Sequence, residues 1–519
     1  MILVSAETAE REAKHGVWGR VTLDQLVRKG AVSHPDRVAV ADLPRRQRFT
    51  TGPSQTLSYA ELDRRVDTLA AFFQAAGLKP DTVVGVQMPQ TSDAIVCLIA
   101  LWRAGLIAAP LPLGLRQADI TSALVATGAR GLITVGQVEG EPLGERLRDV
   151  AADLFQIRFV FGAGGQLPDG LVDLDRILEE ADALGAPADI ARKGNAADHV
   201  ATVTVSGIGD RPTLVARSHN HWIATGVSVL VEAQLEPAMP FVSLYAPTGL
   251  AAIGAAIIPW LLTGGTLHIG AAERVASLVE AVPVGTPAII APNALMRRID
   301  HEMERAGKPA RLISVSHGAN GDPDPLPGDR PVVDVTVLGE LALVPRRRAP
   351  RGPALDLPLA TDPNAAPGLV DLRLKGQPKR AGDPSSSMMI AELQARGSAV
   401  PNAPFPVGTE QGDSPHAEGG WVASGFRGQL TAIEPARARV LDAGDERAQV
   451  GRHVIALTAL DRMARACPGI LDAAAYALPD PILGMRVELA VVQSQGAGWT
   501  PEQVIDGLRR ANLSLPSLP

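Results

Sequence analysis

Apolar positions recur along the chain in two periods, and from about Thr56 onward the two alternate. Ser58-Tyr-Ala-Glu61 has the form of a capping box, in which a hydroxyl and a carboxylate each take a free backbone N–H at a helix start. Leu62, Val66, Leu69, Ala70 and Phe73 follow at helical spacing, and Gly77 predicts the stop. Residues 83–88 read as a short buried strand. Residues 92–104 are apolar nearly all round, so a helix covered on both sides is expected there. Residues 106–109, 131–135 and 157–161 read as further strands. Strands alternating with helices of this length predict an α/β fold of stacked layers with largely parallel pairing.

The pattern changes twice. Between residues 358 and 415 Pro, Gly, Ser and Asp accumulate, as in Gly382-Asp-Pro-Ser-Ser-Ser387, and a loop or a looser β subdomain is expected. From about Pro435 the periodicity resets, with a helix over 457–467, strands over 472–478 and 486–493, and a proline-started helix over 501–512. The expected division is a large multi-layer α/β region, 1–434, with its β-rich part at 358–434, and a small α+β domain, 435–519.

Composition narrows the function classes. A chain of 519 residues is too long for one ordinary core, and 46% apolar with 20% charged residues belongs to a folded protein. The net charge of −7, without a basic face interleaved with aromatics, gives nucleic-acid binding little support. Cys97 and Cys467 lie far apart without metal-ligand spacing, which favours buried thiols in a reducing compartment. The first 20 residues lack the apolar stretch of a signal peptide, and the apolar run 250–262 is too short to span a bilayer and contains Pro259. A buried helix and a cytoplasmic location are expected.

The chemistry concentrates in Val203-Thr-Val-Ser206-Gly207-Ile-Gly209-Asp-Arg-Pro-Thr213. Small residues and glycine let backbone N–H groups turn around phosphate oxygens. The stretch resembles the phosphate loop of adenylate-forming enzymes, the acyl-CoA synthetase and ligase superfamily. Other segments resemble that family in the same order: Ala104-Gly-Leu-Ile-Ala-Ala-Pro110, Ala391-Glu-Leu-Gln-Ala-Arg-Gly397, Glu418-Gly-Gly-Trp421 and Ile470-Leu-Asp-Ala-Ala-Ala-Tyr476. The resemblance implies a large nucleotide-binding region and a small C-terminal domain, here truncated. It also implies a carboxylic acid joined to ATP with Mg²⁺, then transferred to coenzyme A or a carrier phosphopantetheine.

Position by position, the implied contacts thin out. Ser206, Gly207 and Gly209 match the small residues of the loop, but the family lysine falls on Thr213, within a lysine-free span between Lys193 and Lys308. The adenine segment reads Thr336-Val-Leu-Gly339-Glu340, keeping the glutamate that the family gives to magnesium and losing the stacking tyrosine. Gly318-Ala-Asn-Gly321 resembles the loop bordering the acyl and adenine pockets. The ribose aspartate falls on Phe426, and Ala246 stands where a histidine often precedes the acyl pocket. No lysine follows Lys379, so the family's C-terminal lysine is missing.

Two readings stay open. One is a divergent acid–thiol ligase with impaired adenylation, in which Glu340 is the catalytic and metal-binding residue and Ser206, Gly207, Gly209, Thr213, Gly318, Thr336 and Gly339 line the nucleotide. The other is a pseudoenzyme that binds an acyl ligand, an acyl carrier protein, a partner ligase or a second copy of itself. Arg211 or Arg217 could supply the missing loop charge, although a loop arginine is more often solvated. Arg346-Arg-Arg348 reads as a solvated run, His219 and His221 as ordinary fold positions and Cys97 as core.

Overall fold

Two large sheets carry the expected alternation in the computed structural model. It describes all residues except 181–184, 207–212, 272–273, 319–325, 327, 350, 361, 363–365, 377–388, 404, 406–419, 444–446, 451–452, 481–483, 495, 497, 501 and 505–519. The first sheet has eight strands in the order Ala342–Arg347, Val332–Leu338, Arg311–His317, Ala288–Pro292, Phe241–Ser243, Leu267–Ile269, Val38–Asp42 and Thr56–Ser58. Its inner pairs are parallel and only its two edges are antiparallel. The second sheet has seven strands in the order Val172–Asp173, Phe159–Ala163, Gly131–Val135, Val83–Val86, Ile107–Pro110, Val200–Ser206 and Thr213–Ser218.

Helices cover these sheets, which is why the central strands are apolar without alternation. Every residue of Val83–Val86, Ile107–Pro110 and Gly131–Val135 is buried. The helix Ser92–Arg103 is buried along its whole length, as its all-round apolar pattern predicts. Each leucine or isoleucine it removes from water contributes about 1.5–3 kcal/mol. Its last residue, Arg103, is tolerated inside because its Nη1 lies 2.6 Å from the Asp63 carboxylate and donates to Asp67 Oδ1 at 2.8 Å. The capping box forms as read: Ser58 Oγ accepts from Glu61 N at 3.2 Å, and Ser58 N donates to Glu61 Oε2 at 3.0 Å. The helix Tyr59–Ala75 follows, and Gly77 ends it at φ +86°.

The apolar run 250–262 departs from a plain helix. Leu250–Ile257 is wound as a π-helix and continues as the α-helix Ile258–Thr263. Among the described residues, no helix is long and apolar enough to cross a membrane.

The proline-rich region contributes to a third, antiparallel sheet: Leu357–Pro358, Ala436–Ala443, Val422–Ile433, Ile390–Arg396 and Asp371–Leu374. Trp421 is buried there with the guanidinium groups of Arg373 and Arg396 at 4.5 and 4.4 Å from its ring. Gly382 to Ser387, Glu418 and Gly419 lie outside the described residues. A fourth sheet pairs Ile470–Asp480 with Gly484–Gln493, longer strands than the sequence implied, and joins Arg447–Val450 and His453–Ala456. The helix Leu457–Arg465 packs Leu457, Leu460 and Ala464 onto it. Most of the helix expected at 501–512 falls outside the described residues.

Two readings of single residues are corrected. Arg348 is not solvated: it is buried and grips Asp334 through two bonds of 2.7 and 2.8 Å. Arg217 lies in the strand Thr213–Ser218 rather than on a loop, and it is fully buried. Cys97 is core, as read.

Candidate active site

In a parallel sheet, ligands meet the crevice beyond the carboxyl ends of the strands. Two neighbouring strands of the first sheet end there in glycine. Arg311–His317 runs into Gly318 at φ +75°, and Val332–Leu338 turns at Gly339, φ +57°, before returning as Ala342–Arg347. The tight return, with Leu341 N donating to Leu338 O at 3.1 Å, needs a left-handed residue, which Gly339 supplies without a Cβ penalty. Gly318, Thr336, Gly339 and Glu340 are therefore gathered at adjacent strand ends. Thr336 alternates with the buried Val335 and Val337 and is itself half-buried.

Glu340 turns into protein. Its Oε2 accepts the N–H of Leu250 at 3.0 Å, where the π-helix begins, while the nearby Thr204 hydroxyl donates to Val215 O at 3.3 Å. Gly249 passes so close that a Cβ there would lie 2.5 Å from Glu340 Oε1. Burial pushes the carboxyl up to about 7, against the opposing pull of Arg217, Leu250 N–H and Thr204. Arg217 shows the matching effect. Burial lowers its guanidinium to about 10 while the charge of Glu340 supports it. Arg217 Nη2 donates to Leu341 O at 2.7 Å, and the guanidinium sits 5.2 Å from the Trp222 ring centre.

The expected phosphate loop falls between two paired strands. Val200–Ser206 and Thr213–Ser218 pair antiparallel with Ser206 opposite Thr213. Thr213 is exposed, while Gly207, Gly209 and Arg211 lie outside the described residues. Thr204, two residues before Ser206 on the hairpin stem, lies near enough to Glu340 to act on its carboxyl. Beyond it, Ser218 caps the helix His219–Glu232 in a box with His221. His219 Nδ1 accepts from Leu23 N at 3.2 Å. Both histidines are held near 3 by burial, so they stay neutral and structural.

Phe426 completes the arrangement. The ring is buried in the cluster that includes Leu338 and Leu341, and a Cβ on Gly318 would meet its Cε1 at 2.6 Å. The phenyl group thus rests directly on the glycine at the strand end. Tyr245, just past Phe241–Ser243, is buried, and among the described residues its hydroxyl has no hydrogen-bond partner. Sequence reasoning missed Thr204, Gly249, Leu250 and Tyr245. The one available signal was an arginine closing the apolar strand Leu214-Val215-Ala216-Arg217, which demands a dedicated partner.

Comparison with known proteins follows the same lines. A family model for AMP-binding enzymes matches residues 27–326. A salicyl-AMP ligase / salicyl-S-ArCP synthetase from Mycobacterium tuberculosis is 31% identical over 218 residues, covering 41% of this chain and 37% of that protein. The chain therefore matches little over a third of that relative's length. A 2-hydroxy-7-methoxy-5-methyl-1-naphthoate–CoA ligase from Streptomyces carzinostaticus is 24% identical over 98% of this chain and 91% of its own. Among solved structures, the amide bond synthetase McbA from Marinactinospora thermotolerans superposes with a TM-score of 0.70 at 17% identity, over 96% of this chain and 94% of that one. The apo structure of MbtA from Mycobacterium smegmatis gives 0.66 at 20% identity, over 99% and 92%. These likenesses establish the adenylate-forming fold.

Proposed function

The chain belongs to the AMP-binding enzyme family, and from that premise we propose that it is an acid–thiol ligase by descent whose adenylation step is impaired. The observation that carries this reading is the Phe426 ring buried against Gly318. A nucleotide at these strand ends needs a flat slot for its base and an acceptor for its ribose. A phenyl ring occupies space and accepts no hydrogen bond. Thr213 adds no charge for the phosphates. Charged hydrogen bonds are worth about 1.5–3 kcal/mol each, so losing the ribose carboxylate and the loop lysine costs about 3–6 kcal/mol, or roughly 10²–10⁴ in affinity.

The ligand class follows from relatives whose names specify salicylate and a hydroxynaphthoate. A hydroxyaryl or related carboxylic acid is the proposed ligand, with coenzyme A or a carrier phosphopantetheine as the thiol where activity persists. The unpartnered Tyr245 hydroxyl supports a second reading, a non-catalytic protein that keeps the acid pocket alone. A buried hydroxyl without an acceptor is costly unless a ligand satisfies it.

Pyrophosphate release from ATP with a panel of hydroxybenzoic and hydroxynaphthoic acids tests the proposal. Release indistinguishable from a blank without acid is expected. Acid-dependent turnover well above that blank would sink the impaired-adenylation reading.

A further inference from the structure

Glu340 is the carboxylate that family resemblance gives to magnesium, and its surroundings do not fit a metal ion. Mg²⁺ demands an octahedron of oxygen ligands at short range and retains several waters. What faces Glu340 is instead the Leu250 N–H, donating to Oε2 at 3.0 Å, and, across the site, the charge of the Arg217 guanidinium. On the other side Gly249 lies close enough that even a Cβ would stand 2.5 Å from Oε1, which leaves no room there for a coordinated water. Among the described residues, no group of three or more His, Cys, Asp or Glu could hold a metal.

Arg217 supplies what a metal would have brought, a positive charge. It is fully buried, fixed by one bond to Leu341 O at 2.7 Å and by the Trp222 ring. Leu341 adjoins Glu340, so that bond locks the guanidinium against the turn that presents the carboxylate. Among the described residues, Arg217 Nε and Nη1 have no acceptor. Glu340 is the carboxylate whose charge acts on this buried cation.

We propose that Arg217 stands in for the divalent cation at Glu340, so that this end of the sheet carries a built-in charge and binds no metal. The inference rests on family membership and not on the loss of adenylation, so its test uses metal without nucleotide. Mn²⁺ is titrated into the full chain and the free ion is read by electron paramagnetic resonance, for the wild type and for Glu340→Gln. Equal free-ion signals are expected, whether or not the surface holds a few ions elsewhere. A stoichiometric Mn²⁺ site that Glu340→Gln abolishes would overturn the proposal.

A denaturant-unfolding cycle over Arg217→Gln, Glu340→Gln and the double variant reads the pairing itself. Each single change should lower the midpoint, and the double should lose less than the sum. Additive losses would also overturn it. Should Arg217→Gln alone fail to fold, recovery of folding in the double variant shows the same coupling, and the Mn²⁺ comparison needs neither.

Discussion

Phe426 does two jobs with one side chain, and its position explains why motif reading went only part of the way. The resemblance of short segments puts Phe426 where the family has a ribose acceptor, an expectation drawn from sequence alone. Where the ring goes was not legible, because that depends on the third sheet bringing Val422–Ile433 beside the end of Arg311–His317. Arg217 failed for a related reason: one sequence cannot say whether an arginine beside a turn faces water or Glu340. Phe426→Ala should lower unfolding free energy by about 3 kcal/mol, the usual order for a buried aromatic truncated in a core. Denaturant titration measures it. A change under about 1 kcal/mol would mean that the ring is not packed as described.

Helices and strands were more readable, since their signals are local. Ser58 and Glu61 form the predicted box, and the stripe from Leu62 to Phe73 faces the core because helical period alone puts it there. The apolar run 250–262 shows the limit of such signals. Composition gives burial but not pitch, and the π-winding of Leu250–Ile257 delivers the Leu250 N–H to Glu340, a tertiary demand no local pattern records. Ser58→Ala should destabilise the protein by about 1 kcal/mol, with Ser58→Gly milder. Equal stability of wild type and Ser58→Ala in urea titrations would show that the box contributes nothing in this context.

The stacked layers, with largely parallel strands buried between helices, followed from the alternation of periods, and family membership from the order of weak motifs; the strand order did not. Acid stability integrates contributions from distant sites. His219 and His221 are held near 3 and His317 near 4, all by burial, below the ordinary 6.5 of an unfolded histidine. The unfolded chain therefore binds more protons below about pH 6.5, and stability falls with pH there by about 1.4 kcal/mol per histidine per unit. Glu340 works the other way. Its carboxyl is raised to about 7 from 4.5, so protonation on cooling the pH through that window favours the folded state. Three histidines outweigh one carboxyl, and a net loss of roughly 2 kcal/mol is expected between about pH 7.5 and about pH 5.5. Urea midpoints at the two values check it, and a protein more stable at the lower pH would reverse the sign.

The adenylate-forming fold is thus retained, and the proposal is that Phe426, packed on Gly318, closes its nucleotide crevice. Isothermal calorimetry of ATP against the full chain, with and without Mg²⁺, asks whether that crevice is closed. No binding heat at millimolar nucleotide is predicted in either buffer. Saturable binding of ATP in the micromolar range would contradict it.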